Sequence, residues 1–304
     1  MELIQLLSFY QIVKTGSFSR ASENVFRSQS AVSHQIKNLE KDFNVILFER
    51  LGKKVRLTEE GEILFDVVST FLNDLDNLKR VYADMQSGGH GKLTLAISGN
   101  LMTYWFKDVI RLFTDQFPGI KFKLLTVTDA VKIQEMILNG EVDFGIGLKY
   151  QLIAKKLDFL GWKAFDRVLI AAREHPLCLK NTITLADIAA YPLILTRLGN
   201  TKKVVEEAFA RANLPYEIVM EMDYPEIIKK FIVNSINVSI FSSIALTEGD
   251  KNELAVFNVK HLFGEVEYGI YYSKDRFVSS VMKQFVNFVA PEIADRLPLY
   301  KVRS

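Results

Sequence analysis

The sequence predicts a mixed fold: a small, mainly helical winged helix-turn-helix with a β-hairpin wing, a long linker helix, and a larger α/β remainder. Three observations predict it. Three short amphipathic helical patterns fill residues 3–43, and a hairpin pattern follows them. A helical pattern without Gly or Pro then runs from Glu62 to Ser87. After Lys92, apolar strand-like runs alternate with amphipathic helical ones, the order that builds parallel βαβ units. A chain of 304 residues has room for two or three domains.

In the first segment, Leu3, Leu6, Leu7, Tyr10 and Val13 recur at helical spacing, and Thr15-Gly16 ends the helix. Ser17 is placed to cap a second helix over 18–25, with Phe18, Ala21 and Val25 inward. Phe26-Arg27 forms the turn. Ser28 caps a third helix over 29–43, whose inward stripe is Val32, Ile36, Leu39 and Phe43. Its opposite face carries Gln29, Ser30, Ser33, His34 and Lys37. Two short helices joined by a tight turn make a helix-turn-helix, and the second inserts its N-terminal end into the major groove. Gln pairs bidentately with adenine, and Ser donates or accepts at base edges. The runs 45–50 and 55–57 flank a Gly52-Lys53-Lys54 tip and read as a wing suited to phosphate or minor-groove contact. The candidate DNA-binding residues are therefore Arg27, Gln29, Ser30, Ser33, His34, Lys37, Lys53 and Lys54. The charge agrees: nine basic residues face four acids between Lys14 and Arg56, in a chain whose net charge is only +2. A polar helix face beside a hairpin also occurs as a plain solvated surface.

Gly16-Ser17-Phe18-Ser19-Arg20-Ala21-Ser22, Ser28-Gln29-Ser30-Ala31-Val32-Ser33, Gln35-Ile36-Lys37-Asn38-Leu39-Glu40, Leu47-Phe48-Glu49-Arg50 and Leu57-Thr58-Glu59-Glu60-Gly61 follow in order. From Met1 to about Leu64 the chain closely resembles the DNA-binding domain of LysR-type transcriptional regulators. His34 stands where that family often has Arg. The resemblance implies a regulator of double-stranded DNA that responds to a small-molecule effector. It also implies a homodimer through the linker helix, assembling to a tetramer. The C-terminal part would be a two-lobed effector domain like periplasmic binding proteins. The expected organisation is 1–58 winged helix-turn-helix, 59–87 linker and dimerisation helix, 88–92 hinge and 93–304 effector domain. Lobe one would hold 93–163 and 268–304, and lobe two 164–267.

Thr58 caps the linker helix, and Glu59 and Glu60 sit at the positive end of its dipole. Leu64, Val68, Phe71, Leu75, Leu78, Tyr82 and Met85 alternate spacings of four and three, an a/d seam. At 1.5 Å per residue the helix spans roughly 43 Å. So narrow a stripe on so long a helix predicts a partner helix, with packing against the chain's own C-terminal domain as the alternative. Gly91-Lys92 is not a phosphate loop, because the upstream Gly is missing and Leu93 replaces the required Ser/Thr.

Further on, strands are expected at 93–97, 121–127, 144–148, 167–172, 193–196, 216–220, 238–241 and 267–272. Helices are expected at 101–117, 130–138, 201–212, 225–234 and 278–294. Ligands in such sheets bind where strand carboxyl ends meet helix N-termini. Ser98, Gly99 and Asn100 follow the first of these strands, Thr128 follows the second, and Thr196, Arg197, Asn200 and Thr201 follow a lobe-two strand. These are the candidate effector-binding residues. Hydroxyls, free N–H groups and the Arg197 guanidinium favour an anionic effector. Many family members have Gly-x-Gly where this chain has Ser235-Ile236-Asn237.

Other functions find little support. The four histidines are scattered, and there is no metal-ligand cluster, nucleophile elbow, dinucleotide fingerprint or phosphate loop. No catalytic residue, metal or cofactor is expected, so the chain reads as a regulator rather than an enzyme. The single cysteine, Cys178, cannot form an internal disulfide. With no signal peptide and no long apolar span, a cytoplasmic protein is expected. A solute-binding transport component would leave residues 1–87 unexplained.

Overall fold

A computed structural model describes residues 1–51, 54–87, 91–197 and 199–297; the side chains of 50–51, 54, 73, 77, 80 and 83–87 fall outside the description. The chain divides into two compact units, Met1–Ala83 and Asp84–Ser304.

The first unit contains α1 (Leu3–Thr15), α2 (Phe18–Asn24), α3 (Gln29–Phe43), the antiparallel hairpin β1 (Phe48–Leu51) and β2 (Lys54–Leu57), and the start of α4 (Glu59–Ser87). Local chemistry sets the boundaries. Gly16 ends α1 at φ 63°, a left-handed conformation that costs glycine little. The Ser17 and Ser28 hydroxyls accept from the N–H groups of Arg20 and Ala31, capping α2 and α3. Phe9, Ile12, Ala21, Val32, Ile36, Leu39 and Leu47 form the buried core. The Ser8 hydroxyl donates to Gln35 Oε1 at 2.5 Å and ties α1 to α3.

Several expectations need correction here. Phe43 does not complete the inward stripe of α3; at the last residue of the helix it is 44% exposed and lines an apolar groove with Leu6 of α1 and residues of α4. The wing strand begins at Phe48 rather than at residue 45, and Ile46 is exposed. Leu64 and Val68 of the expected a/d seam pack into this unit's own core. Further along α4, Phe71, Leu78 and Tyr82 are exposed, as are Ile63 and Val67 on its first turns.

The second unit is built on one nine-stranded sheet. Its elements are β3 (Gly91–Ser98), α5 (Gly99–Leu101) continuing through a π-helical turn (Met102–Phe106) into α6 (Lys107–Gln116), β4 (Ile120–Val127), α7 (Ala130–Asn139), β5 (Phe144–Leu148), β6 (Leu157–Ala172), α8 (Leu185–Ala189), β7 (Leu193–Thr196), α9 (Thr201–Ala212), β8 (Ile218–Met222), α10 (Pro225–Ile232), β9 (Val238–Ser242), α11 (Asp250–Glu253), β10 (Leu254–Asn258), α12 (Lys260–Phe263), β11 (Glu265–Ser273), α13 (Ser280–Val289) and α14 (Pro291–Ala294). The strand order is β4-β3-β5-β11-β6-β9-β7-β8, with β10 on β6. β3 is parallel to β4 and β5, and β7 is parallel to β8 and β9, so each lobe has its own parallel set. β6 and β11 are antiparallel and cross between the lobes.

β6 explains what the sequence hid. The run 167–172 is only its second half; the first half, from Leu157, pairs with β11 in lobe one. The crossing is pinched by two glycines. Gly161 lies opposite Gly269, and a Cβ on Gly269 would stand 2.2 Å from the Leu160 carbonyl oxygen. Other boundaries moved too. β3 begins at Gly91, inside the expected hinge, because its pairing with β4 starts opposite Ile120. β8 starts two residues later than expected, and the closing helix breaks at Pro291, whose ring cannot continue it. β10 was not anticipated.

Lobe one buries a Phe cluster in which Phe113 meets Phe117, Phe122, Phe285 and Phe288 at centroid distances of 4.7–5.5 Å. Lobe two holds a buried charge instead. Lys229 Nζ donates to Glu226 at 2.6 Å, Asp250 at 2.8 Å and the Ala245 carbonyl at 3.1 Å. It also sits 5.3 Å from the ring of Tyr104 in lobe one. Burial chiefly, and Glu226 next, push the Tyr104 phenol up. Among the described residues no helix is long and apolar enough to cross a membrane.

Candidate functional site

In the first unit, Arg27, Gln29, Ser30, His34 and Lys37 are exposed along α3 and the turn before it, and Ser33 is half-buried. Neighbours hold several of them. Ser19 donates to Gln29 Oε1 at 3.0 Å, which fixes the amide so that its NH₂ points away from α2. Ser30 and Ser28 hydroxyls are 3.0 Å apart, and Asn38 lies 3.4 Å from His34 Nδ1. Arg27 donates to the Phe26 carbonyl at 3.3 Å. Phe26 itself is 88% exposed at φ 53°, a conformation a bulky side chain rarely adopts. Lys53, and the side chain of Lys54, lie outside the described residues. Behind the helix-turn-helix, α4 and the end of α3 frame an apolar groove of about 570 Å³ lined by Phe43, Ile63, Val67 and Phe71 among others.

In the second unit, a cavity of about 60 Å³ lies between the lobes. It has room for a few waters or one small ligand. Ser98, Gly99, Asn100 and Thr128 come from lobe one, and Thr196, Asn200 and Thr201 from lobe two; all line it. They meet because strand carboxyl ends from both lobes point to one crevice. Asn200 stands at the N-cap of α9 but makes no cap hydrogen bond, so the helix's first turn is left open.

Arg197 is the exception. It does not line the cavity. Its Nε and Nη2 both donate at 2.9 Å to Asp223, which follows the neighbouring parallel strand β8. The pair holds the Asp223 carboxyl below its ordinary value and raises the Arg197 guanidinium. Asp223 itself reaches the cavity wall, so Arg197 neutralises a rim carboxylate.

Other wall residues were missed. Leu148 ends β5 and Ser242 ends β9, so the rule of strand carboxyl ends would have found both. Phe241, Val266 and Tyr268 required knowing how β9 and β11 cross. Burial pushes the Tyr268 phenol up to about 12, while nearby Ser242 and Arg167 pull the other way. Cys178 is exposed, and among the described residues no cluster could hold a metal ion.

A helix-turn-helix carrying a wing, joined to a two-lobed α/β domain with a cleft between the lobes, defines a ligand-responsive transcription regulator. Comparison with known proteins agrees. Residues 3–62 match the bacterial regulatory helix-turn-helix of the LysR family, and residues 86–294 match the LysR substrate binding domain. The chain belongs to the LysR family. The HTH-type transcriptional activator CmpR of Synechocystis sp. is 31% identical over 290 residues, 94% of each chain. The HTH-type transcriptional regulator cbl of Escherichia coli is 28% identical over 249 residues, 81% of this chain and 78% of that one. These relatives are regulators rather than enzymes. Among solved structures, the cofactor-binding domain of the Cbl transcriptional regulator superposes with a TM-score of 0.64 at 22% identity, covering 71% of this chain and 97% of that one. Full-length CbnR complexed with its target DNA gives a TM-score of 0.58 at 20% identity, covering 95% and 99%.

Proposed function

We propose that this LysR-family regulator reads DNA with α3 and its wing, and is controlled by a small anionic effector bound between its lobes. The observation that carries the effector site is the cavity itself, with hydroxyl and amide groups from both lobes on its wall. An anion suits the open first turn of α9, where unpaired N–H groups and the helix dipole favour negative charge. Arg27, Gln29, Ser30, Ser33, His34 and Lys37 supply base-edge and phosphate contacts, and Lys53 and Lys54 follow the backbone at the wing. That full-length CbnR is known complexed with its target DNA supports the same use of the N-terminal unit. The protein works in the cytoplasm as a homodimer through α4, assembling to a tetramer. The exposed Phe71, Leu78 and Tyr82, and the apolar groove beside them, support the pairing. Ligand changes DNA binding by favouring one angle between the lobes.

The test is an anisotropy titration against the DNA upstream of the protein's own gene, at several salt concentrations. Tight binding that is sequence-dependent and falls steeply with salt is expected. Binding no tighter than to random DNA, and flat with salt, contradicts the proposed interface.

A further inference from the structure

Among the described residues Arg167 is the largest fully buried side chain, at 2% exposure. A guanidinium so deep normally has a carboxylate partner, since an uncompensated buried charge is costly. Here its partners are neutral. Nη1 donates to the carbonyls of Phe263 at 2.7 Å and Glu265 at 2.9 Å, and Nη2 donates to Asn200 Oδ1 at 2.8 Å. Nε has no partner among the described residues. Burial lowers its pKa, with only the Tyr268 phenol opposing.

This charge faces the interlobe cavity through Asn200. Arginine can only donate, so it obliges Asn200 to turn its oxygen inward. The Asn200 NH₂ is thereby aimed away from Arg167, with both its hydrogens available, at a residue that lines the cavity. The hydroxyl of Ser242, opposite Arg167 in the β6–β9 ladder, is also on the wall, 7% exposed, and has the Tyr268 phenol beside it but no hydrogen bond of ordinary geometry. The one carboxylate on the wall, Asp223, is already paired with Arg197. What remains is a positive charge, unpaired donors and an open helix N-terminus around a space the size of a small ion.

We infer that Arg167 is the charge that makes the cavity a site for a small oxyanion, acting as a positioning residue through Asn200. The inference rests on reading the cavity as the effector site. The effector's sulfate-, phosphate- or carboxylate-like group takes the donors of Asn200, Thr201 and Ser242, and completes an ion pair that the empty protein lacks.

Calorimetric titration of the full-length protein tests this, with inorganic sulfate as the probe and glycerol as an uncharged comparison. Wild type is expected to bind sulfate and not glycerol. Arg167→Met weakens sulfate by roughly ten- to a hundredfold, the range for losing one hydrogen-bonded charge. Arg167→Lys restores part of the loss. Asn200→Asp is the decisive variant because it should fold well. The new carboxylate pairs with Arg167, so Tm rises while sulfate binding is lost. A merely structural arginine would leave the sulfate affinity of a folded Arg167→Met unchanged, and that outcome also overturns the inference. Undiminished sulfate affinity in Asn200→Asp overturns the inference. If Ser98→Ala nevertheless weakens sulfate, the cavity stands as the effector site and only the role of Arg167 falls. If neither substitution matters, or wild type binds no sulfate, the site is not an oxyanion cavity and both readings fail together.

Discussion

The proposed DNA-reading side of α3 and the interlobe cavity use polar side chains in opposite surroundings. Gln29, Ser30, His34 and Lys37 stand on one short helix, in water. The cavity is assembled from strand and helix ends scattered from Ser98 to Tyr268, with Arg167 buried behind it. On the exposed surface, water and salt weaken each charge, so many contacts must act together. In the interior a charge is screened far less, and every unpaired donor has a larger effect. A regulator gains from both: a graded, salt-tuned grip on DNA and a sharp response to one ligand.

The comparison breaks first if buried and exposed charges turn out to be equivalent. Asp250→Ala, which strips the buried Lys229 of a carboxylate, should cost about 3 kcal/mol in urea unfolding. Separating the exposed Lys132–Glu135 pair in lobe one should cost about 0.5 kcal/mol or less. Similar losses from the two would refute the distinction. On the DNA side, Gln29→Ala should relax base preference by about 1–3 kcal/mol at one position. Lys37→Ala should instead weaken all sequences alike and lower the salt slope by about 1. A competition assay over a randomised site separates the two, and identical profiles would show that α3 does not divide its labour this way. Ser28→Ala removes the α3 cap and should cost about 1 kcal/mol in thermal unfolding; no change would mean that solvent caps α3 equally well.

The smallest effect is a titration. Asp187 accepts from Thr184 in a capping box and meets Lys180, which holds its pKa at about 2. Because the folded pKa lies below the unfolded one, the contribution is complete above about pH 4 and disappears as pH falls through 2. Wild type and Asp187→Asn should therefore differ in stability at neutral pH and converge near pH 2. A gap that persists undiminished at pH 2 would assign the difference to something other than the carboxylate.

Much of this was legible in the sequence, for a physical reason. Ser17, Ser28 and Thr58 announce helix starts because capping is chemistry between near neighbours. Ser98, Thr128, Thr196 and Thr201 could be placed because strand carboxyl ends converge in any open α/β sheet. What stayed hidden depends on residues distant in sequence. Arg197 looked free because Asp223 lies 26 positions away, on a strand whose neighbour could not be guessed. Arg167 looked like the edge of an apolar run, and only the crossing of β6 over lobe two buries it. Phe43 and Val68 show the same limit in the first unit, since periodicity gives a helix face but not what covers it.

The single strand β6 has a mechanical consequence. It enters in one lobe and leaves in the other, bonded to β11 through most of its first half. A slide between the lobes would have to break that ladder one rung at a time. A twist need not, because strands tolerate rotation about their own length. The lobes are joined less like a drawer than like two pages on a torsion spring. On the proposed reading, an occupant of the crevice would be registered as an angle.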